Sequence, residues 1–311
     1  MSELFKGKIS VKSPAKINLH LEVIGKREDG FHELAMIMQN IDLADYLEFE
    51  INQNGLIKLE SDSNDLSLSS DNLIVKSANL LRKISNIDLG ANIFLRKNIP
   101  IGAGLAGGSS NAAATLIGLN KLWDLKLDQN KILSLSTSLG SDVPFFINGG
   151  SQLCFGRGEI LEELNFNFEY GVLLLKNPNF SISTADTYKK YSNKFSRKYD
   201  MRAKIVEKIR NNLRNNSLNN FSIFNQSINI KNDLQLIVEK ENESVKNALY
   251  LLSNLKNCLT SSMSGSGPTC FALFKDVEIA NKVLKENHKL FKNNGFESWV
   301  CKLLNKGITY I

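Results

Sequence analysis

The sequence predicts a chain of mixed strands and helices, and its 311 residues allow two domains or one large one. Two stretches carry that prediction. Residues 11–23 (VKSPAKINLHLEV) alternate apolar and polar side chains, the mark of a strand with one buried face. Residues 100–116 (PIGAGLAGGSSNAAATL) place four glycines and two serines before an alanine-rich run, which reads as a glycine loop feeding a helix. A composition of 42% apolar and 23% charged residues supports an ordinary globular core.

Along the opening strand, Lys16, Asn18 and His20 share the face opposite Ala15, Ile17 and Leu19. Pro14 cannot donate to a ladder, so the strand is bent, bulged or at an edge there. A bulge would aim Lys16 in a particular direction, although a solvated lysine is the plainer reading. Asp29-Gly30 marks a turn, with Phe31 and His32 at its exit, followed by a return segment and a further strand over residues 46–51. Residues 71–83 have helical periodicity, with Asp71 or Asn72 as cap. A short strand over 92–95 leads into the glycine loop. Ala112, Leu116, Leu119 and Trp123 then predict an amphipathic helix starting near Ser109 or Ser110. Another helix spans 129–139 and is closed by Gly140. Asp142 follows on a corner held by Pro144, and there it can cap a helix or take a proton from an attacking hydroxyl. Residues 261–274 (SSMSGSGPTCFALF) form a second glycine loop before an apolar strand, either a plain turn or a second anion-binding loop.

Glycines followed by a helix start offer backbone N–H groups and a positive dipole end to a phosphate. Gly102-x-Gly104-x-x-Gly107 has the letters of a dinucleotide fingerprint, but it is not the chain's first strand–helix unit and no acid ends a strand downstream. Gly102 and Gly107 have P-loop spacing, yet Gly108 stands where that loop has its lysine. Charge for a transferring phosphoryl must therefore come from elsewhere, and Lys16 leads.

The net charge of +6 is local: residues 189–216 carry a net +8, leaving −2 elsewhere. A solvated connector, an RNA-contacting arm, or a basic rim around a phosphate site would each account for it. Four scattered cysteines and three histidines offer no metal-ligand spacing, no apolar run is long enough to span a bilayer, and residues 1–12 lack the apolar core of a signal peptide. A cytoplasmic, reduced protein without a zinc site is expected.

Three segments occur in order: SPAKINLHL, PIGAGLAGGSSNAA and SMSGSGPTCFALF. Together they resemble the three signature motifs of the GHMP kinases, and the likeness runs from Ser13 to Phe274. The PAKINL, DGFHEL, DNLI and SDVPFF segments are most similar to the branch that phosphorylates the 2-hydroxyl of a cytidine-diphosphate-linked methylerythritol in non-mevalonate isoprenoid synthesis. The resemblance implies an α+β fold of two domains. One is ribosomal-protein-like, ATP-binding and catalytic (1–165); the other is ferredoxin-like and substrate-side (166–311). It implies ATP as donor with Mg2+ expected, and a small acceptor carrying cytidine diphosphate rather than a nucleic acid or a membrane. Asp142 would be the base and Lys16 its charge partner. Pro100, Ile101, Gly102, Ala103, Gly104, Leu105, Ala106, Gly107, Gly108, Ser109 and Ser110 would wrap the ATP phosphates, with Asn72 near the adenine. Asn18 and His32 would contact the acceptor, His32 at the cytosine edge, and Phe31 and Tyr188 would stack on the cytosine. Three positions depart from the pattern. Phe31 lacks a tyrosine's hydroxyl. Ala106 replaces a glycine, which is tolerable only at negative φ. Asn111 replaces an aspartate, so no metal ligand is assigned there. Another GHMP kinase, an RNA-binding protein and a nicotinamide oxidoreductase are the competing readings.

Overall fold

The computed structural model describes residues 7–164, 169–220 and 230–311. Strands β1 (Lys8–Lys26) and β2 (His32–Asn52) form one long antiparallel hairpin closed by the Asp29-Gly30 turn, where Gly30 takes φ +85°. Where a return segment and a separate strand were expected, β2 is a single strand of 21 residues. Asn40, Asp42 and Asp45 interrupt its apolar alternation, which is why the sequence suggests a break. Asn40 and Asp45 are nevertheless buried and bonded inside: the Asn40 side chain donates to the Ala15 carbonyl and accepts from the Gly150 N–H.

The order continues with β3 (Ile57–Ser61), α1 (Leu73–Ser85), β4 (Gly90–Arg96), α2 (Gly107–Leu122), α3 (Gln129–Ser136), α4 (Val143–Asn148), β5 (Ser151–Gly156) and β6 (Ile160–Leu164). The first half of β2 pairs with β5 and its second half with β4, so the edge of the strand away from β1 serves two neighbours. Helix α3 stops short of the expected 139, where Ser136, Thr137 and Ser138 turn their hydroxyls onto carbonyls three residues back.

Then come β7 (Gly171–Lys176), α5 (Thr184–Phe195), α6 (Ala203–Asn220), β8 (Lys231–Asn232), α7 (Gln235–Glu241), α8 (Glu243–Ser253), β9 (Thr260–Met263), β10 (Cys270–Phe274), α9 (Val277–Asn293), β11 (Glu297–Lys302) and β12 (Thr309–Tyr310). Strands β11-β7-β10-β9 make a second, fully antiparallel sheet. Numbered within itself, its order is 4-1-3-2 over a βαββαβ chain, the ferredoxin-like arrangement. The expected boundary at 165/166 falls outside the described residues. Short strands β8 and β12 return to pair with β1, so the later half of the chain also completes the first sheet. Ile17, Leu19, Ile37 and Leu153 of the first sheet pack against Val172, Leu174, Phe271 and Leu273 of the second. On its other face the first sheet carries α1, α2 and α4. Among the described residues no helix is long and apolar enough to cross a membrane.

The bulges in β1 decide which side chains reach the site. Register shifts fall between Pro14 and Ala15 and between Asn18 and His20. Lys16 and Asn18 keep the α2 side, but the second shift reverses the alternation, so Leu21 rather than His20 joins them. His20 sits instead beside Glu22, whose carboxyl is pushed down to about 2 by the neighbouring His20 and by Lys231.

Candidate active site

The loop before α2 repeats positive φ at alternate residues: Gly102 at +61°, Gly104 at +75° and Ala106 at +54°. The expectation that Ala106 would need negative φ is therefore overturned. Ala106 takes the left-handed conformation as the residue preceding α2, a turn the loop imposes to swing into the helix. Gly104 is required by proximity, because a Cβ there would run into the Ser264 carbonyl. The second glycine loop docks at this point: Ser264 Oγ donates to the Gly104 carbonyl at 3.0 Å and the Thr269 N–H to the Ala103 carbonyl at 3.3 Å. Strand β1 completes the junction through the Lys16 N–H and the Leu105 carbonyl, 3.1 Å apart. Three segments remote in sequence thus share one hydrogen-bond network.

Over that network, on the α2 side of the first sheet, lies a cavity of about 1120 Å³. Lys16, Asn18, Phe31, His32, Asn72, Asp142 and Tyr188 all line it. So do Pro100 to Gly104 and Ala106 to Ser109, but Leu105 and Ser110 do not. Leu105 is buried in the core, and Ser110 turns its hydroxyl to the Pro14 carbonyl at 2.6 Å. Helix α2 begins at Gly107, two or three residues before the expected start, so the amides of Gly107, Gly108 and Ser109 form an open N-terminus at the cavity wall.

Lys16 Nζ lies 3.7 Å from Asp142 Oδ2 and donates to Asn18 Oδ1 at 2.6 Å. The lysine side chain is 5% exposed and the aspartate 32%. Asp142 occupies the capping position of α4 but makes no capping bond, so the bland account of this aspartate leaves its carboxylate unused. The arrangement can accept a proton from a ligand hydroxyl while an ammonium group faces the developing charge.

At the far end of the cavity, His32 Nε2 meets Ser192 Oγ at 2.6 Å, and the His32 ring stacks on Tyr188 with centroids 4.9 Å apart. Burial, aided by Lys26, lowers the His32 pKa, so the ring is neutral at pH 7 and offers one donor and one acceptor. Burial raises the Tyr188 pKa and keeps its hydroxyl protonated. Phe31 stands at the rim, half exposed, under the Arg157 guanidinium at 4.9 Å.

A sequence profile for the GHMP kinases N terminal domain matches residues 72–150, and one for the GHMP kinases C terminal domain matches 205–293. A Prochlorococcus marinus (strain MIT 9312) protein named 4-diphosphocytidyl-2-C-methyl-D-erythritol kinase is 75% identical over 311 residues, covering 100% of both chains. The chain belongs to the GHMP kinases. Among solved structures, a 4-(cytidine 5'-diphospho)-2C-methyl-D-erythritol kinase is 27% identical with a TM-score of 0.69, covering 95% of this chain and 99% of that one. A homoserine kinase from Cytophaga hutchinsonii, 18% identical with a TM-score of 0.73 over 100% of this chain and 99% of its own, shares the fold.

In this GHMP kinase the Asn72 side chain bonds at both ends: Oδ1 accepts from the Ile74 N–H at 2.9 Å, capping α1, and Nδ2 donates to the Ser67 carbonyl at 2.7 Å. It lines the cavity wall. Asn111 is likewise committed, accepting from Ser13 Oγ at 2.9 Å and donating to Asp45 at 3.0 Å. Sequence reading missed Lys97, Leu66, Leu73 and Leu95 around Asn72, and Lys26, Arg157 and Ser192 toward the other end. Lys97 carried one usable signal, its place three residues before Pro100. Burial lowers its pKa, with Asp45 opposing. The others reach the cavity only through tertiary packing.

Proposed function

We propose that this GHMP kinase transfers the γ-phosphate of ATP to the 2-hydroxyl of 4-diphosphocytidyl-2-C-methyl-D-erythritol, a step of non-mevalonate isoprenoid precursor synthesis. The observation that carries the reading is the meeting of Lys16 and Asp142 beside the open start of α2, at 3.7 Å, in one cavity with His32 and Tyr188. The name borne by the relative of 75% identity supports the acceptor.

The roles follow from position. The amides of Gly107, Gly108 and Ser109 hold the triphosphate at the positive end of α2. The acceptor hydroxyl gives its proton to Asp142 as its oxygen bonds to the γ-phosphorus and the bond to the β-phosphate oxygen breaks. Lys16, steadied by Asn18, stabilises charge on the transferring group. His32 reads the edge of the cytosine, while Tyr188 and Phe31 supply its aromatic walls. Mg2+ is expected to come with the nucleotide, whose phosphates supply much of its coordination. When bound, it neutralises phosphate charge.

The test is ATP consumption with the cytidylyl acceptor offered beside mevalonate and homoserine. Turnover with the cytidylyl compound alone is expected. Turnover with either of the others in its place would overturn the acceptor.

A further inference from the structure

The basic stretch at 189–216 has a use that composition does not reveal. Several of its charges are engaged: Lys190 with Glu241, Arg202 with Asp200, and Arg214 with Glu162 and Glu207. Arg210, on α6, reaches across to the β1–β2 hairpin. Its Nη2 lies 2.5 Å from Glu33 Oε1. Glu33 also receives Arg27 Nη1 at 2.8 Å and the Gly156 N–H at 3.2 Å, and it is only 3% exposed. Arg210 and Arg214 lie over the Phe155 ring at 5.4 and 5.0 Å. One buried carboxylate therefore joins the hairpin turn, β5 and the basic helix.

Glu33 directly follows His32, and strand alternation sends the two side chains to opposite faces. His32 faces the cavity and Glu33 does not line it. Whatever fixes the carboxylate on one side fixes the backbone of His32 on the other. A buried charge held by two guanidiniums is a stiff anchor, because freeing it means desolvated charge without a partner.

We infer that Glu33 and Arg210 are positioning residues for acceptor recognition, setting the place of His32 and the adjoining turn and leaving nucleotide binding untouched. The separation is structural. The glycine loop is held by the Ser264 and Thr269 contacts, none of which involves this cluster. The inference rests on the proposed acceptor, so wild-type turnover with that acceptor is measured first, and its absence would sink the acceptor reading instead.

The experiment compares Arg210→Met, Arg27→Met and Arg210→Lys with wild type, recording the KM for each substrate, kcat and thermal melting. Removing either cation should raise the acceptor KM about tenfold, with kcat and the ATP KM within about twofold. Arg210→Lys, which keeps the charge, should recover part of the loss. A general loosening of the fold would shift both KM values together. That result, or an unchanged acceptor KM in folded Arg210→Met and Arg27→Met, overturns the inference.

Discussion

Two lysine–aspartate pairs flank the cavity, and they differ in burial and in how completely they are satisfied. Lys97 and Asp45 are 2.7 Å apart, with side chains 6% and 0% exposed. Asp45 also accepts the N–H groups of Asn98 and Ile99 at 2.8 Å each and Asn111 Nδ2 at 3.0 Å, while Lys97 donates to the Ile99 carbonyl as well. Lys16 and Asp142 stand 3.7 Å apart, and the aspartate forgoes even the capping bond its position allows. The saturated pair ties β2 to the entry of the glycine loop. The unsaturated pair keeps bonding capacity for a substrate. The same two residue types thus serve architecture in one place and chemistry in the other, and the number of bonds already made separates the roles.

Breaking the saturated pair should have the larger effect. Asp45→Ala leaves a buried ammonium and two loop amides without their acceptor, a change expected to cost about 3–5 kcal/mol of stability. Chemical denaturation of the variant against wild type measures it. A loss below about 1 kcal/mol would mean that the pair does not anchor the loop.

The unsaturated pair should respond in the opposite sense, with stability kept and turnover lost. Asp142→Ala and Lys16→Ala are each expected to cut kcat by roughly a hundredfold or more, or about 2.7 kcal/mol in the barrier, with melting close to wild type. Near-normal turnover in either folded variant would remove that residue from the proposed chemistry.

What the sequence made legible follows the same division. Lys16 and Asp142 could be read as candidates because each sits in a locally constrained segment, a strand with a proline-induced bulge and a corner before Pro144. The glycine loop was readable because close approach and positive φ leave few residue types possible. Asp45 was not, since a carboxylate inside a strand looks like a break when its four partners lie 52 to 66 residues away. Arg210 was hidden likewise: in composition it is one more charge on a basic helix, and only the fold brings it to Glu33, 177 residues earlier. His20 was misplaced because strict alternation cannot foresee a second bulge.

The smallest effect expected concerns the loop that the saturated pair anchors. Ala106 holds φ +54° immediately before α2, a conformation that costs an L-residue roughly 1–2 kcal/mol. Glycine would remove that strain but add backbone entropy to the unfolded chain, about 0.5–1 kcal/mol in the other direction. Ala106→Gly is therefore expected to stabilise the protein by a net ~0.5 kcal/mol, read as a small rise in denaturation midpoint with an unchanged slope. Lower stability in the variant would show that the Ala106 methyl makes packing contacts outweighing the strain, and that the first turn of α2 depends on side chains as well as on its anchored entry.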